Sequence, residues 1–279
     1  MTVNPVDVER VAAAVLGKSK YCHVHPRVVS TLAERELAKG RAPREAVREV
    51  AGKLHQVAGA YFPRQPNYPR WLRELEALPR DAGHDLTRAF SMRVMRVHAS
   101  TAERLPDLEE FFQATLASIA PVESILDLAC GLNPLALAWM PLSQSGRYLG
   151  CDLYADLTGF LNAFYAHIGR KGRFNACNLL DLGKTDLQKN HAQITFLLKT
   201  LTCLEQLEKG AGLRLLDAAP SPYVLVSFPV SSLGGRPKGM RANYENLFLE
   251  MVAGRDWRVK RFSFKSELAF LVEKDEQPV

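Results

Sequence analysis

The sequence predicts an α/β protein whose first third is a separate helical unit, and three observations carry that reading. Residues 1–100 show only helical periodicity. From about residue 105, short apolar runs alternate with helical segments. The final two alternating runs, inside WRVKRFSFKSELAFLVEK, lie too close together to hold a helix between them. Strands that alternate with helices make βαβ units and a parallel sheet. Right-handed crossovers then place helices on both faces, and the last pair reads as an antiparallel hairpin at one edge.

The elements follow in order. VDVERVAAAVLG has helical spacing and stops at Gly17. PRVVSTLAERELAKG opens with proline and closes with glycine, the asymmetry helices favour. APREAVREVAGKLHQVAGAYF is a third amphipathic run, ended by Pro63. RQPNYP reads as a loop, WLRELEAL as a short helix, and DLTRAFSMRVMRVHAS as the approach to another. DLEEFFQATLASIA is helical. The strand candidates are SILDLAC, RYLGCDLY, RFNACNLL, ITFLLKT and YVLVSFP, and with the terminal pair they make seven. Between them lie LNPLALAWMP, LTGFLNAFYAHIG and LEQLEKGAGLRLLDAA, each read as helical. The expected division is 1–96 for the helical domain and 97–279 for the sheet domain.

The 279 residues can hold one large domain or two smaller ones. No apolar run reaches the roughly 18 residues of a membrane span, and MTVNPVDVER lacks the pattern of a signal peptide, so the expected place is the cytoplasm, with no membrane partner. Five scattered cysteines without C-x-x-C indicate reduced thiols. Cys22-His23-Val24-His25 lacks the second half of a zinc site, and no metal is expected. Charge is uneven: residues 1–100 hold 17 Lys+Arg against 10 Asp+Glu, leaving 19 against 20 for the remainder. A basic first third on a near-neutral body suits a polyanion-facing module. An arginine-rich solvated helical surface is the plainer alternative.

DLACGLNPLALAW, from Asp127 to Trp139, occupies the cofactor position at the carboxyl end of the first strand. Gly131 permits a turn and close backbone approach. Asp152 ends the second strand, 25 residues beyond Asp127, where a carboxylate can accept from both ribose hydroxyls of an adenosine cofactor. Asp181 follows the third strand, where a polar group can meet the adenine amino group. One glycine serves a diphosphate poorly. A nucleoside with an amino-acid tail fits better, which points to S-adenosyl-L-methionine (SAM), although a Rossmann-like domain for another ligand has the same spacing. GGRPKGMR, with Arg236, Lys238 and Arg241, follows the fifth strand at the same sheet edge and suits phosphate contact. Lys199 lies at the end of the fourth strand, beside the expected methyl position.

HASTAERL (98–105), ILDLACGLNPLAL (125–137), LLKTLTCLEQ (197–206) and SFPVSSLGGRPKGM (227–240) together resemble one family. It is the aminoglycoside-resistance methyltransferases that make 7-methylguanosine in the decoding site of 16S rRNA. The resemblance runs from about residue 50 to the end, more loosely before it. It implies a class I SAM-dependent methyltransferase fold, Rossmann-like, with an N-terminal domain that docks on rRNA. It also implies residue roles. His98, Ala99, Ser100 and Arg104 close over SAM, with Arg104 on the methionine carboxylate. A helix N-cap at Ser100 or Thr101 is compatible with that role. Ala129 and Gly131 floor the loop, Asp152 holds the ribose, and Asp181 and Leu182 hold the adenine. Leu197, Gln206 and Tyr61 complete the pocket, though Tyr61 could equally be core. Lys199 and Arg236 act at the target nucleotide. Lys18, Lys20, Arg236, Lys238 and Arg241 hold RNA.

No acid–base pair is evident in the sequence. Lys199-Thr200-Leu201-Thr202 stands where amino-group methyltransferases carry Asn-Pro-Pro-aromatic, and Cys203 lacks the preceding proline of a nucleophilic cysteine. Guanine N7 has a lone pair and no proton to remove, so positioning and electrostatics can supply most of the rate. The expected partner is the assembled 30S subunit, met by a monomer that flips its target base. The alternatives are the neighbouring decoding-site adenine at N1, a small-molecule substrate, and an RNA-binding protein without turnover.

Overall fold

The computed structural model describes residues 3–230 and 240–274. Three helices open the chain: α1 (Pro5–Leu16), α2 (Pro26–Ala38) and α3 (Pro43–Leu54), each with proline in its first turn. They bury Val11, Val15, Val29, Leu32, Val50 and Leu54 against one another. Part of that small core is closed by Leu153, Tyr154, Leu180 and Leu207 from the sheet domain. A π-helical turn, His55–Gly59, extends α3 towards Tyr61. The next two helices, α4 (Tyr68–Glu76) and α5 (Asp85–Met95), turn instead to the main core. Tyr68 and Trp71 pack on Phe160, and Phe90 joins the same cluster. A short α6 (Ala99–Arg104) and α7 (Leu108–Leu116) lead into the sheet.

The sheet elements are β1 (Val122–Leu128), β2 (Leu142–Asp152), α8 (Ala155–His167), β3 (Lys171–Ala176), α9 (Lys184–Gln188) and β4 (Ile194–Leu198). They continue with α10 (Leu201–Leu207), α11 (Ala211–Ala218), β5 (Tyr223–Pro229), α12 (Met240–Val252), β6 (Trp257–Ser263) and β7 (Glu267–Lys274). The seven strands lie in the order β3-β2-β1-β4-β5-β7-β6. All pairs are parallel except those of β7, which runs antiparallel to both β5 and β6. Alternate residues feed two cores. Ile125, Phe196 and Leu225 face one side of the sheet, while Leu126, Leu197 and Val226 face the other. The doubly wound sheet with its terminal hairpin is the predicted architecture, and its strand order reverses between β1 and β4, where ligands bind in such sheets.

Three local differences have physical causes. The single helix expected over LEQLEKGAGLRLLDAA is two, α10 and α11, because Gly210 adopts φ +81°. The Glu205 carboxylate accepts from the N–H groups of Gly210 and Gly212 at 2.8 and 2.9 Å, which ties the break together. LNPLALAWMP forms a 3₁₀ segment, Asn133–Trp139, rather than an α-helix. The sequence pattern does not announce α12, whose apolar periodicity is weak, or α9, which is only five residues long.

Candidate cofactor cleft

Both strands at the reversal point end in a left-handed residue. Ala129, just after β1, has φ +60°, and Lys199, just after β4, has φ +58°. Such backbone is costly for residues with a Cβ and is held only where surroundings over-determine it. Two residues on, Gly131 has φ +49° and donates its N–H to Asp152 Oδ2 at 2.9 Å. A Cβ at Gly131 would stand 2.9 Å from His98 Cε1. The glycine is therefore needed for its backbone angle and for the space that His98 fills. Around this turn opens a cleft lined by Asp127, Ala129, Asp152, Asn178 and Lys199, where ligands bind in such sheets.

The cleft's inner wall is a buried charge network. Arg104 is 1% exposed and Glu267 is 0% exposed. Arg104 donates from Nε to Glu267 Oε2 at 2.8 Å, from Nη2 to Oε1 at 2.6 Å, and from Nη1 to Asn133 Oδ1 at 2.8 Å. Phe111 stacks beneath it, 4.6 Å from ring centre to guanidinium. Burial alone would raise the Glu267 pKa, but the charges of Arg104 and Lys199, with bonds from Arg104 and Ser227, hold it below the usual carboxylate range. Lys199, 3% exposed, donates Nζ to Glu103 Oε2 at 2.7 Å and to the Ser100 carbonyl at 3.3 Å. Next to the network, Asp127 accepts from Tyr148 Oη at 2.6 Å and from Asn133 Nδ2 at 2.8 Å. Burial nonetheless pushes its pKa up to about 6.

Aromatic rings form the roof. Tyr61 stacks on His98 with centroids 5.5 Å apart, and Phe62 meets the same ring edge-on at 4.7 Å. Part of His98 stays accessible, yet its Nδ1 is buried without a partner. Burial, reinforced by Lys199 and Arg104, brings its pKa down to about 3, so the imidazole is neutral at physiological pH. Tyr61 Oη lies 3.1 Å from Cys203 Sγ. Burial raises both of their pKa values, so Cys203 is a protonated thiol.

Of the residues expected to bind the cofactor, Tyr61, His98, Ser100, Arg104, Ala129 and Asp152 line the cleft together with Lys199. Gly131 acts through its N–H on Asp152. Asp152 itself is raised in pKa by burial, opposed by N–H bonds from Gly131 and Tyr154. The structure places others elsewhere. Asp181 accepts from Thr31 Oγ1 at 3.1 Å and pairs with Arg27 at 3.6 Å, so it fastens α2 to the sheet domain. Leu182 packs against the core on that side of the sheet, Leu197 is wholly buried in it, and Gln206 is exposed on α10. Ala99 sits at the start of α6, where its N–H donates to the Tyr61 carbonyl at 2.8 Å.

Of the residues expected to hold RNA, Lys18 is exposed, and Lys20 donates Nζ to His55 Nδ1 at 2.8 Å. Arg241 bonds Ser263 Oγ at 2.8 Å and the carbonyls of Phe264 and Lys265, so it clamps the β6–β7 turn to α12. Arg236 and Lys238 lie outside the described residues. Cys22–His25 forms backbone contacts rather than a ligand set. Val24 bridges Tyr154, and the N–H of His25 donates to the Leu153 carbonyl at 2.7 Å. Among the described residues no three His, Cys, Asp or Glu side chains are grouped to hold a metal.

Several lining residues escaped the sequence reading: Asn133, Leu153, Tyr154, Asn178, Leu180 and Leu207. A visible signal existed for Asn178, the first polar residue after β3. For Leu207 and for Val28 of α2 there was none, since they arrive from other elements.

The donor set suits SAM. The arginine keeps two of its five N–H groups outside the described bonds, so a carboxylate can still be received. Asp152 stands at the end of β2, and apolar Leu153 and Leu180 offer flat packing for a base.

Comparison with known proteins agrees with this geometry. The family model described as Ribosomal RNA methyltransferase (FmrO) matches residues 18–271. A 16S rRNA (guanine(1405)-N(7))-methyltransferase of Micromonospora echinospora is 38% identical over 98% of this chain and 99% of its own length. A protein of the same name from Frankia casuarinae is 39% identical over 96% and 94%. The crystal structure of the 16S rRNA methyltransferase RmtF, in complex with S-adenosyl-L-homocysteine, is similar at TM-score 0.79 and 29% identity, covering 96% of this chain and 98% of that one.

Proposed function

This chain belongs to the FmrO family of ribosomal RNA methyltransferases, and from that membership we propose that it methylates N7 of guanine 1405 in 16S rRNA, protecting the decoding site against aminoglycosides. SAM supplies a methyl group on a positively charged sulfur, already electrophilic. The chain's own residues bind and orient. Asp152 takes the ribose, Arg104 the carboxylate, and Tyr61 and His98 cover the amino-acid end. The observation that carries the N7 reading is the near full-length similarity to two proteins named guanine(1405)-N(7)-methyltransferase, and the protonation state of two cleft side chains is compatible with it. His98, the imidazole in the described cleft, has its pKa held down to about 3, and Cys203 is a thiol, so neither is built to take a proton at neutral pH. A ring nitrogen with a lone pair and no proton to lose, which guanine N7 and adenine N1 both offer, needs no general base, so positioning can supply the rate.

Lys199 and Arg236 are assigned to the target nucleotide, Lys199 at the cleft floor. The helical residues 1–96, with Lys18 and Lys20, and the cations Lys238 and Arg241 are assigned to docking on the assembled 30S subunit by phosphate contact, which positions without reading bases. The working unit is a cytoplasmic monomer.

The test is methyl transfer from labelled SAM to intact 30S subunits, with free 16S rRNA as comparison, followed by borohydride–aniline scission at 7-methylguanosine. One cut in the decoding site, obtained only with subunits, is the expected result. Label without a cut moves the methyl to another atom, adenine N1 being the first to examine. The absence of label returns the protein to small-molecule chemistry.

A further inference from the structure

A second recess lies beside the cofactor cleft, lined by Ser19, Lys20, His23, Phe62, Tyr68, Tyr154 and Asp156 with Pro63 and Pro66. Phe62 and Tyr154 line both spaces and so form the partition between them. Their rings meet edge-on at 5.9 Å, and the far side of Phe62 rests on His98. We propose that this recess receives an unstacked nucleobase of the rRNA substrate, one other than the methylated guanine.

Three features of the recess select that occupant. Phe62 and Tyr154, with Pro63 and Pro66, offer flat apolar faces on which a base can stack, and the buried Tyr68 backs them from the core. The Asp156 carboxylate, 30% exposed, is an acceptor for the N–H groups on a base edge. Lys20 is held at the wall by His55, and its stem packs against Gly59, where an added Cβ would stand 2.8 Å from Lys20 Cε. A fixed ammonium beside stacking faces is the arrangement that seats a nucleotide's phosphate while its base turns inward. His23, 3.9 Å from Asp156, adds a second donor. A purely phosphate-binding surface needs neither the rings nor the carboxylate. The proposal rests on the rRNA methyltransferase reading and adds a second point at which that RNA is held.

The experiment has two readouts on the full-length protein. The first is steady-state methylation of 30S subunits by wild type and by Ser19→Phe, an exposed turn position whose new ring fills the recess. The expected result is a KM for subunits raised about tenfold, with SAM affinity and Tm unchanged. A KM within twofold of wild type overturns the proposal. The second readout is 254-nm photocrosslinking of the wild-type protein to 30S subunits with S-adenosyl-L-homocysteine present. A nucleotide on a peptide containing Phe62, Tyr68 or Tyr154 supports it. Crosslinks confined to other peptides overturn it and leave phosphate contact by Lys20. Failure of wild type to label 30S subunits at all would instead strike at the methyltransferase reading itself.

Discussion

Arg104 and Glu267 meet through two parallel hydrogen bonds, 163 residues apart in the chain and almost fully shut off from water. The pair joins α6, whose Ser100 and Arg104 line the cofactor cleft, to the first residue of β7. Removing one partner strands a buried charge, which costs about 3–5 kcal/mol. Glu267→Ala is therefore expected to lower the free energy of unfolding by about that amount, measured in urea. Arg104→Lys should retain more of the stability but lose the two-pronged grip on both Glu267 and a ligand carboxylate, so SAM affinity, read by calorimetry, falls further than stability does.

His98 gives the fold a pH dependence of its own. Its folded pKa is about 3 against 6.5 for the free group, so the unfolded chain binds the proton first. Stability from this residue is present above pH 6.5 and is lost as pH falls towards 3. Between pH 7 and 5.5 the unfolding free energy should drop by about 1 kcal/mol. His98→Phe should flatten that part of the profile. An unchanged slope in the variant would mean that other groups cause the dependence.

Gly131→Ala should be costly for two separate reasons. The alanine must hold φ +49°, worth about 1–2 kcal/mol, and its methyl group must displace the His98 ring. A loss of SAM affinity greater than the loss of stability is expected, because the ring that moves is the roof of the cleft. Pairing Gly131→Ala with His98→Ala should restore part of the loss, measured as a double-mutant cycle.

Asp152 and Arg236 should separate cofactor from substrate. Asp152→Ala is expected to weaken SAM by about 10- to 100-fold. Arg236→Ala should reduce turnover on 30S subunits with SAM affinity nearly unchanged. Equal loss of SAM binding in both variants would contradict the division of roles.

The sheet was legible because its strands are short, apolar and separated by helical periodicity, and all seven fall where that pattern places them. Residues tied to a strand end were legible for the same reason: Asp152 and Lys199 follow from position in a parallel sheet, while Ala129 came only with the family resemblance. The rest depended on distance in space. Nothing in the spacing shows that Glu267 returns to Arg104, or that Val28 and Leu207 arrive at the cleft from helices far apart in sequence. Asp181 shows the converse. Its place after β3 suggested a base contact, but its carboxylate is turned to Thr31 and Arg27 of α2. A helix packing over that strand end could not be foreseen from the strand alone.

That helix has a thermodynamic consequence. α2 borders the cofactor cleft through Val28, and the segment before it is stitched to Leu153 and Tyr154 at the end of β2. The unit proposed to rest on the ribosome is thus also one wall of the methyl donor's chamber. Two ligands that lean on opposite sides of one wall are obliged to be reciprocal: if docking tightens SAM by some factor, SAM must tighten docking by the same factor. In such an arrangement a mutation in the basic helices can be felt by the donor without touching it.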